Sequence, residues 1–114
     1  MKKNNIELLL ANIQKRPKMY ILEARMDYLF IFLIGYMGRG NGTIDEEEID
    51  IAFRENFGRW IMDWIGLNYG KEYQEVEWYR MFQKVTSSEE KAVELFFEAS
   101  KEFFDDYHKN NSKS

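Results

Sequence analysis

The run YLFIFLIGYM, Tyr28 to Met37, decides what kind of molecule this chain forms. Ten apolar or aromatic residues in succession could be a membrane span, a buried strand or a core helix. A bilayer span needs about 20 such residues, so the run is half the required length. Read as a helix from about Glu23 to Met37, it places Leu29, Phe30, Leu33, Ile34 and Met37 on one face. Ile31, Phe32 and Tyr36 fill the others. A helix that is apolar all round belongs in the middle of a fold, and this one predicts a core around which other helices pack. Three glycines, Gly38, Gly40 and Gly42, end it.

Helical spacing continues on both sides. Upstream, Ile6, Leu9, Leu10 and Ile13 recur at i, i+3, i+4 and i+7, with Asn4 or Asn5 as cap and Pro17 as stop. Downstream, TIDEEEIDIAFRENF (43–57) restarts a helix. Thr43 with Glu46, or Asp45 with Glu48, has capping-box spacing, and acids suit a first turn. Ile49, Ala52, Phe53, Trp60, Ile61 and Trp64 carry the pattern on, with a bend expected near Gly58. GLNYG (66–70) breaks it. In EYQEVEWYRMFQKV (72–85), Trp78, Met81, Phe82 and Val85 favour a helix over a short strand. The last segment, 86–108, pairs Ser87 with Glu90 as a capping box. Ala92, Leu95, Phe96, Ala99 and Phe103 form its apolar stripe, widened by Val93, Phe97, Phe104 and Tyr107. The expected fold is therefore all-α, a single-domain bundle of about five helices around a central apolar helix, spanning 1–109. Residues 110–114 are expected to be a disordered tail.

Composition bounds the rest. A chain of 114 residues is one domain, and 45% hydrophobic with 17% aromatic residues supplies enough apolar volume for a core. With no cysteine, disulfides and thiolate metal sites are excluded, which fits a reducing cytoplasm. The opening MKKNN leads into an amphipathic stretch and not an apolar signal core, so no secretory signal is expected. Sixteen basic and twenty acidic residues give a net charge of −4. Residues 1–40 carry seven basic and three acidic side chains, while residues 41–114 carry nine and seventeen. The second part, at −8, repels nucleic acid and anionic membrane and attracts basic partners.

The stretch GRGNGTIDEEEID (38–50) mimics the second half of an EF-hand loop. Setting Gly42 at loop position 6 puts Asn41, Asp45 and Glu48 at positions 5, 9 and 12. Positions 1 and 3 then fall on Met37 and Arg39. A thioether is a poor ligand for a hard cation and a guanidinium repels it, so the stretch reads as a connection into a capped helix. The glycines do not form a phosphate loop either, because a helix precedes them and acids follow. KRPKMYI (15–21) resembles a stretch near the start of type II topoisomerase ATPase domains. Lys18 replaces its glycine and the rest of that longer domain is absent, so no nucleotide site is read there.

Catalysis and cofactors find little support. The single histidine, His108, lies near the tail and reads as a solvated residue, since acid–base work needs held geometry. Ser87, Ser88 and Ser100 have no base nearby in sequence, and a zinc site without cysteine would need carboxylates. No catalytic residue, cofactor or metal is assigned. The distinctive feature is acid placement. On a wheel at about 100° per residue, Glu90, Glu94, Glu98, Glu102 and Asp105 share an arc of about 120° opposite the apolar stripe. Lys91 and Lys101 share it too, leaving three negative charges uncompensated. The row is either a solubilising face or a surface kept acidic for a partner. A second cluster is Asp45, Glu46, Glu47, Glu48 and Asp50. A third is Glu72, Glu75 and Glu77, interleaved with Tyr69, Tyr73, Trp78 and Tyr79. That mixture suits an interface hot spot with a charged rim, or core packing.

The layout NIQKRPKMYI…YLFIFLIGYMGR…FGRWIMDWIGL…WYRMF…SSEEKAVELFFEASKEF resembles small bacterial immunity proteins encoded beside polymorphic toxins, including those of contact-dependent inhibition systems. The shared marks are the RP-x-MY turn at Arg16–Tyr20, the aromatic helix ending in Gly35-Tyr36, and a final helix with F-x-x-F/Y spacing. Lys18 stands where a glycine is usual in that turn. The resemblance implies a cytoplasmic inhibitor that binds a cognate toxin domain, a nuclease with a basic cleft, without turnover. The acidic clusters would be its partner-binding residues, and neither nucleic acid nor membrane its partner. An acidic regulator or adaptor with another basic target, such as a DNA mimic, is the alternative reading. A small carboxylate-dependent enzyme is the third.

Overall fold

Helix ends with their own caps, and apolar rows that meet one another, build this molecule. The computed structural model describes residues 5–21, 23–39, 47–74 and 77–111. These form five α-helices: α1 (Ile6–Lys15), α2 (Met26–Arg39), α3 (Glu48–Asn68), α4 (Trp78–Val85) and α5 (Glu89–Asn111). Two short 3₁₀ turns, Pro17–Met19 and Lys71–Tyr73, lie between them, and there is no strand among the described residues. The architecture is all-α, and α4 is a helix as its spacing favours. No helix is long and apolar enough to cross a membrane among the described residues.

The caps are local except in two places. The Asn5 side chain accepts from Leu8 N (2.9 Å) and starts α1. Ser88, one residue after the expected Ser87, starts α5 by accepting from Lys91 N (3.1 Å). Helix α3 begins later than either capping box expected for it, with Glu47 as cap and Asp50 as the third helical residue. The reason is tertiary. Asp50 is buried at 6% exposure, and its two oxygens accept from Glu47 N (2.9 Å) and from Ile6 N of α1 (2.6 Å). One carboxylate thus satisfies the starts of two helices, which each expose unpaired N–H groups. Glu89 acts similarly for α2: its side chain accepts from Met26 N (2.9 Å) and Gln83 Nε2 (3.3 Å).

At its far end α3 runs through Gly58 without a break and stops at Tyr69–Gly70. Gly70 has φ +123°, and a Cβ there would meet the Glu72 carboxylate at 2.6 Å, so only glycine suits the turn. Helix α5 extends to Asn111, two residues into the expected tail. Residues 112–114 lie outside the described residues.

The core is where the apolar rows of α3 and α5 meet. Ile49, Phe53, Phe57, Ile61 and Ile65 line α3, and Ala92, Phe96, Ala99 and Phe103 line α5. Trp78 stacks on Phe96 (5.5 Å between ring centres, 13° between planes) and meets Phe57 edge-on (5.0 Å). Helix α5 packs against all four other helices, whereas α2 packs mainly on α4 and α5. The central place expected for α2 belongs to α5. On α2, Leu29, Leu33 and Met37 are buried as expected, but Ile31 is 67% and Ile34 51% exposed. A helix with apolar residues on every side gives its orientation no signal; the neighbours choose which face is covered. Helix α2 also includes Met37 and Arg39, so two positions of the would-be EF-hand loop are helical. Gly40 to Glu46 lie outside the described residues.

Near the start of α2, Arg25 forks onto Asp27 through Nε and Nη2, both at 3.1 Å. The hydrogen bond from Arg25 holds the Asp27 carboxyl below its usual range; burial opposes it, and the cation's charge adds to the lowering. Asp27 therefore adds stability above the ordinary carboxylate pKa of about 4, and loses it as pH falls through its lower folded value. The pair is substantially exposed, so solvent screening keeps the contribution small. In Asp27→Asn, urea midpoints measured from pH 7 to pH 2 should fall less steeply at the acid end than in the parent chain. An equally steep or steeper fall would rule out this carboxylate as an acid-sensitive contributor.

Candidate protein-interaction surface

Five acids predicted as a row stand as one. Glu90, Glu94, Glu98, Glu102 and Asp105 are all exposed, opposite the buried stripe of α5. From Glu90 to Asp105 the row runs about 22 Å along one helix. That helix is anchored by Phe96, Phe103 and Phe104, so the carboxylates stand on a rigid support. The row has two sides. Asp105 and Lys101 line a groove of about 280 Å³ against α1, with Glu7, Leu10 and Gln14 opposite. Glu102 faces α3, where its Oε1 accepts from the indole N–H of Trp64 (3.1 Å). Asp106, which the sequence reading did not single out, does the same for Trp60 (Oδ2, 3.2 Å).

Those two indoles belong to an aromatic ladder along α3. Phe57 and Trp60 are near-parallel at 6.2 Å, Trp60 and Trp64 at 6.2 Å, and Trp64 meets Tyr69 at 6.1 Å with a 55° tilt. The ladder starts in the core and emerges into solvent. Phe57 is buried, Trp60 and Trp64 are half-buried, and Tyr69 is 41% exposed. Leu67, at i+3 from Trp64 and i+7 from Trp60, is 87% exposed. Expected as core residues, Trp60 and Trp64 instead roof the core with one edge wet, which suits an amphipathic ring.

The second acidic cluster is split. Asp45 and Glu46 lie outside the described residues. Glu47 and Glu48 open α3 beside a cleft of about 530 Å³, shared with Asn5, Glu7, Ile49, Tyr107 and His108. The Asn5 amide donates to Glu47 Oε1 (3.1 Å). Asp50, grouped with them in sequence, is turned inward and consumed by the two helix starts, so it presents no charge to a partner. His108 is exposed, as expected of a solvated residue near the tail. Its Nε2 sits 2.7 Å from Glu7 Oε1 and ties the end of α5 to α1. Burial, then the neighbouring Glu48 and Glu47 carboxylates, push the Tyr107 hydroxyl above its ordinary value. Among the described residues the cleft lining carries no serine or threonine hydroxyl.

In the third cluster the described acids are exposed while most of the rings pack toward the core. Glu72 is exposed beside Gly70, Glu77 is exposed and pairs with Arg80 (3.6 Å), and Glu75 lies outside the described residues. The aromatics interleaved with them go elsewhere. Trp78 enters the core, Tyr79 stacks on Phe30 (4.3 Å), Tyr73 packs against the core edge, and Tyr69 joins the Trp64 ladder. Helix α4 turns its apolar side toward α2, α3 and α5, which separates the rings from the acids. Among the described residues no group of three or more His, Asp or Glu side chains is placed to share a metal ion.

The arrangement is thus suited to meeting positive charge and flat cationic groups at a surface, with held carboxylates beside half-exposed rings. The chain matches no protein-family model, no curated protein and no solved structure.

Proposed function

We propose that the chain is an immunity protein: it binds a cognate toxin domain, a nuclease with a basic active-site cleft, and blocks substrate access by occupying it. The observation that carries the binding part is the exposed carboxylate row of α5, mounted on a helix whose other side is fixed in the core. Its rigidity lowers the ordering cost of association, and its sign steers a basic partner. The immunity part rests on the resemblance carried by the RP-x-MY turn and the final helix. No turnover and no cofactor are needed for this action.

The test is co-expression with a nuclease toxin domain from a neighbouring gene, where the genome holds one, scoring survival and a stable complex. Rescue with co-purification is the expected result. Failure to rescue by a folded chain would remove the immunity reading and leave a different basic target. Reversing charge with Glu94→Lys and Glu98→Lys should slow association with that domain by about tenfold at low salt and flatten its salt dependence. An unchanged association rate would move the interface off this part of α5.

A further inference from the structure

We infer that the α3–α5 face is an arginine-recognition surface, in which the Trp60–Trp64 ladder and the carboxylates of Glu102 and Asp106 clamp guanidinium groups of a basic partner segment. The inference rests on the proposed binding role and specifies its chemistry. Each carboxylate is held by one oxygen on an indole N–H, Glu102 on Trp64 and Asp106 on Trp60. The other oxygen of each is not used in those bonds. The carboxylates are therefore oriented before any partner arrives, and oriented acceptors lose less freedom on binding. The two indoles lie near-parallel, 6.2 Å apart, one helical turn from each other. The two acids are likewise four residues apart on α5, so the same acid–indole unit occurs twice.

A guanidinium fits such a unit better than an ammonium does. It is planar, stacks on an indole and donates in a fork to a carboxylate, while an ammonium is a compact, strongly hydrated point charge. Leu67 and Tyr69 continue the ladder into solvent and offer apolar area beside the charged units. Of the cations on α5, Lys101 lines the groove on the α1 side, and Lys109 follows Asp106 by three residues, so the acid–indole units keep a cation of their own nearby that a guanidinium would have to outcompete. The charge of −8 over residues 41–114 attracts a basic segment to this part of the chain. Interface hot spots favour tryptophan and arginine in such pairings.

The test titrates the protein with hexa-arginine and hexa-lysine peptides and follows tryptophan emission. Saturable change with hexa-arginine is expected, with hexa-lysine weaker by about threefold or more. Glu102→Gln with Asp106→Asn keeps an oxygen for each indole but removes both charges, so the fold is preserved. This double variant should bind hexa-arginine about tenfold more weakly. Glu23→Gln with Glu55→Gln removes the same charge at exposed sites away from α5 and should change affinity by less than about twofold. Equal losses from the two pairs, equal affinity for the two peptides, or no saturable signal would overturn the inference. So would sedimentation showing that this face is covered by a second copy of the chain. The two proposals fail separately. If the Glu102→Gln/Asp106→Asn variant protects cells from the toxin as well as the parent, this surface is wrong and immunity stands. If the peptide results hold and the parent chain gives no protection, immunity falls and the arginine surface stands.

Discussion

Phe57→Ala should lower the unfolding free energy by about 4 kcal/mol, the middle of the range for a buried phenylalanine. Phe57 is 1% exposed and sits where three helices converge. Its ring touches Phe53 and Trp60 of α3, Trp78 of α4, and Phe96 and Phe103 of α5. Truncation removes the transfer free energy of the ring and leaves a cavity whose walls are stiff aromatic groups. Those walls belong to different helices and cannot all move inward together, so relaxation recovers little. Loss of the edge-on and stacked ring pairs adds to the cost. Domains of this size have about 5–15 kcal/mol of total stability, so the variant should be marginal or largely unfolded at 37 °C. Urea unfolding gives the number. Phe57→Leu, which fills much of the space, should cost about half as much. On α2, Ile31→Ala at a solvent-facing site should change stability by less than about 0.5 kcal/mol. A loss below about 1.5 kcal/mol for Phe57→Ala would contradict its place at the centre of the aromatic core.

For Asp50→Ala the expected loss is about 3 kcal/mol, although the substitution removes no apolar contact of note. The carboxylate bonds Ile6 N and Glu47 N at 2.6 and 2.9 Å. Bonds to a charged acceptor contribute more than neutral ones, and removing the acceptor strands two donors in a place water reaches poorly. The favourable interaction of an acid with two helix N-termini is lost as well. Asp50→Asn retains one carbonyl oxygen but turns a donor toward the other N–H, so it should fall between alanine and the parent, at about 2 kcal/mol. Glu48→Ala, two residues away but exposed, should be within about 0.5 kcal/mol of the parent. Hydrogen exchange adds a local readout: the amides of Ile6 and Glu47 should lose protection in Asp50→Ala before the rest of α3 does. If Asp50→Ala and Glu48→Ala cost the same, the proposed link between α1 and α3 is absent.

Much of the helical layout was legible because α1, α4 and α5 have one-sided apolar spacing. Ile6, Leu10 and Ile13 in α1 and Ala92, Phe96, Ala99 and Phe103 in α5 are buried where a period of 3.6 puts them. Helix α2 defeated that logic, since a uniformly apolar sequence leaves the wheel without a polar side to read. The start of α3 was also ambiguous locally. TIDEEEID contains several cap-to-N3 spacings of nearly equal merit, and a bond to a residue 44 positions away selected Asp50. The exposed acidic row of α5 was visible in the sequence. Its division into an α1 side and an α3 side was not, because Trp60 and Trp64 meet Asp106 and Glu102 across 46 and 38 residues. The same holds for Glu7 and His108, at opposite ends of the chain. Periodicity reports which side of a helix is covered, and it carries no information about what does the covering.

That α5 touches all four other helices has a consequence for biogenesis. During translation α5 is the last of the five to leave the ribosome, so α1 to α4 emerge before the element that joins them. Until Phe96 and Phe103 clear the exit tunnel, Phe53, Phe57 and Trp78 lack the rings that close around them. The nascent polypeptide should therefore settle late and nearly all at once, and a premature stop codon ahead of α5 should yield a fragment that proteases clear.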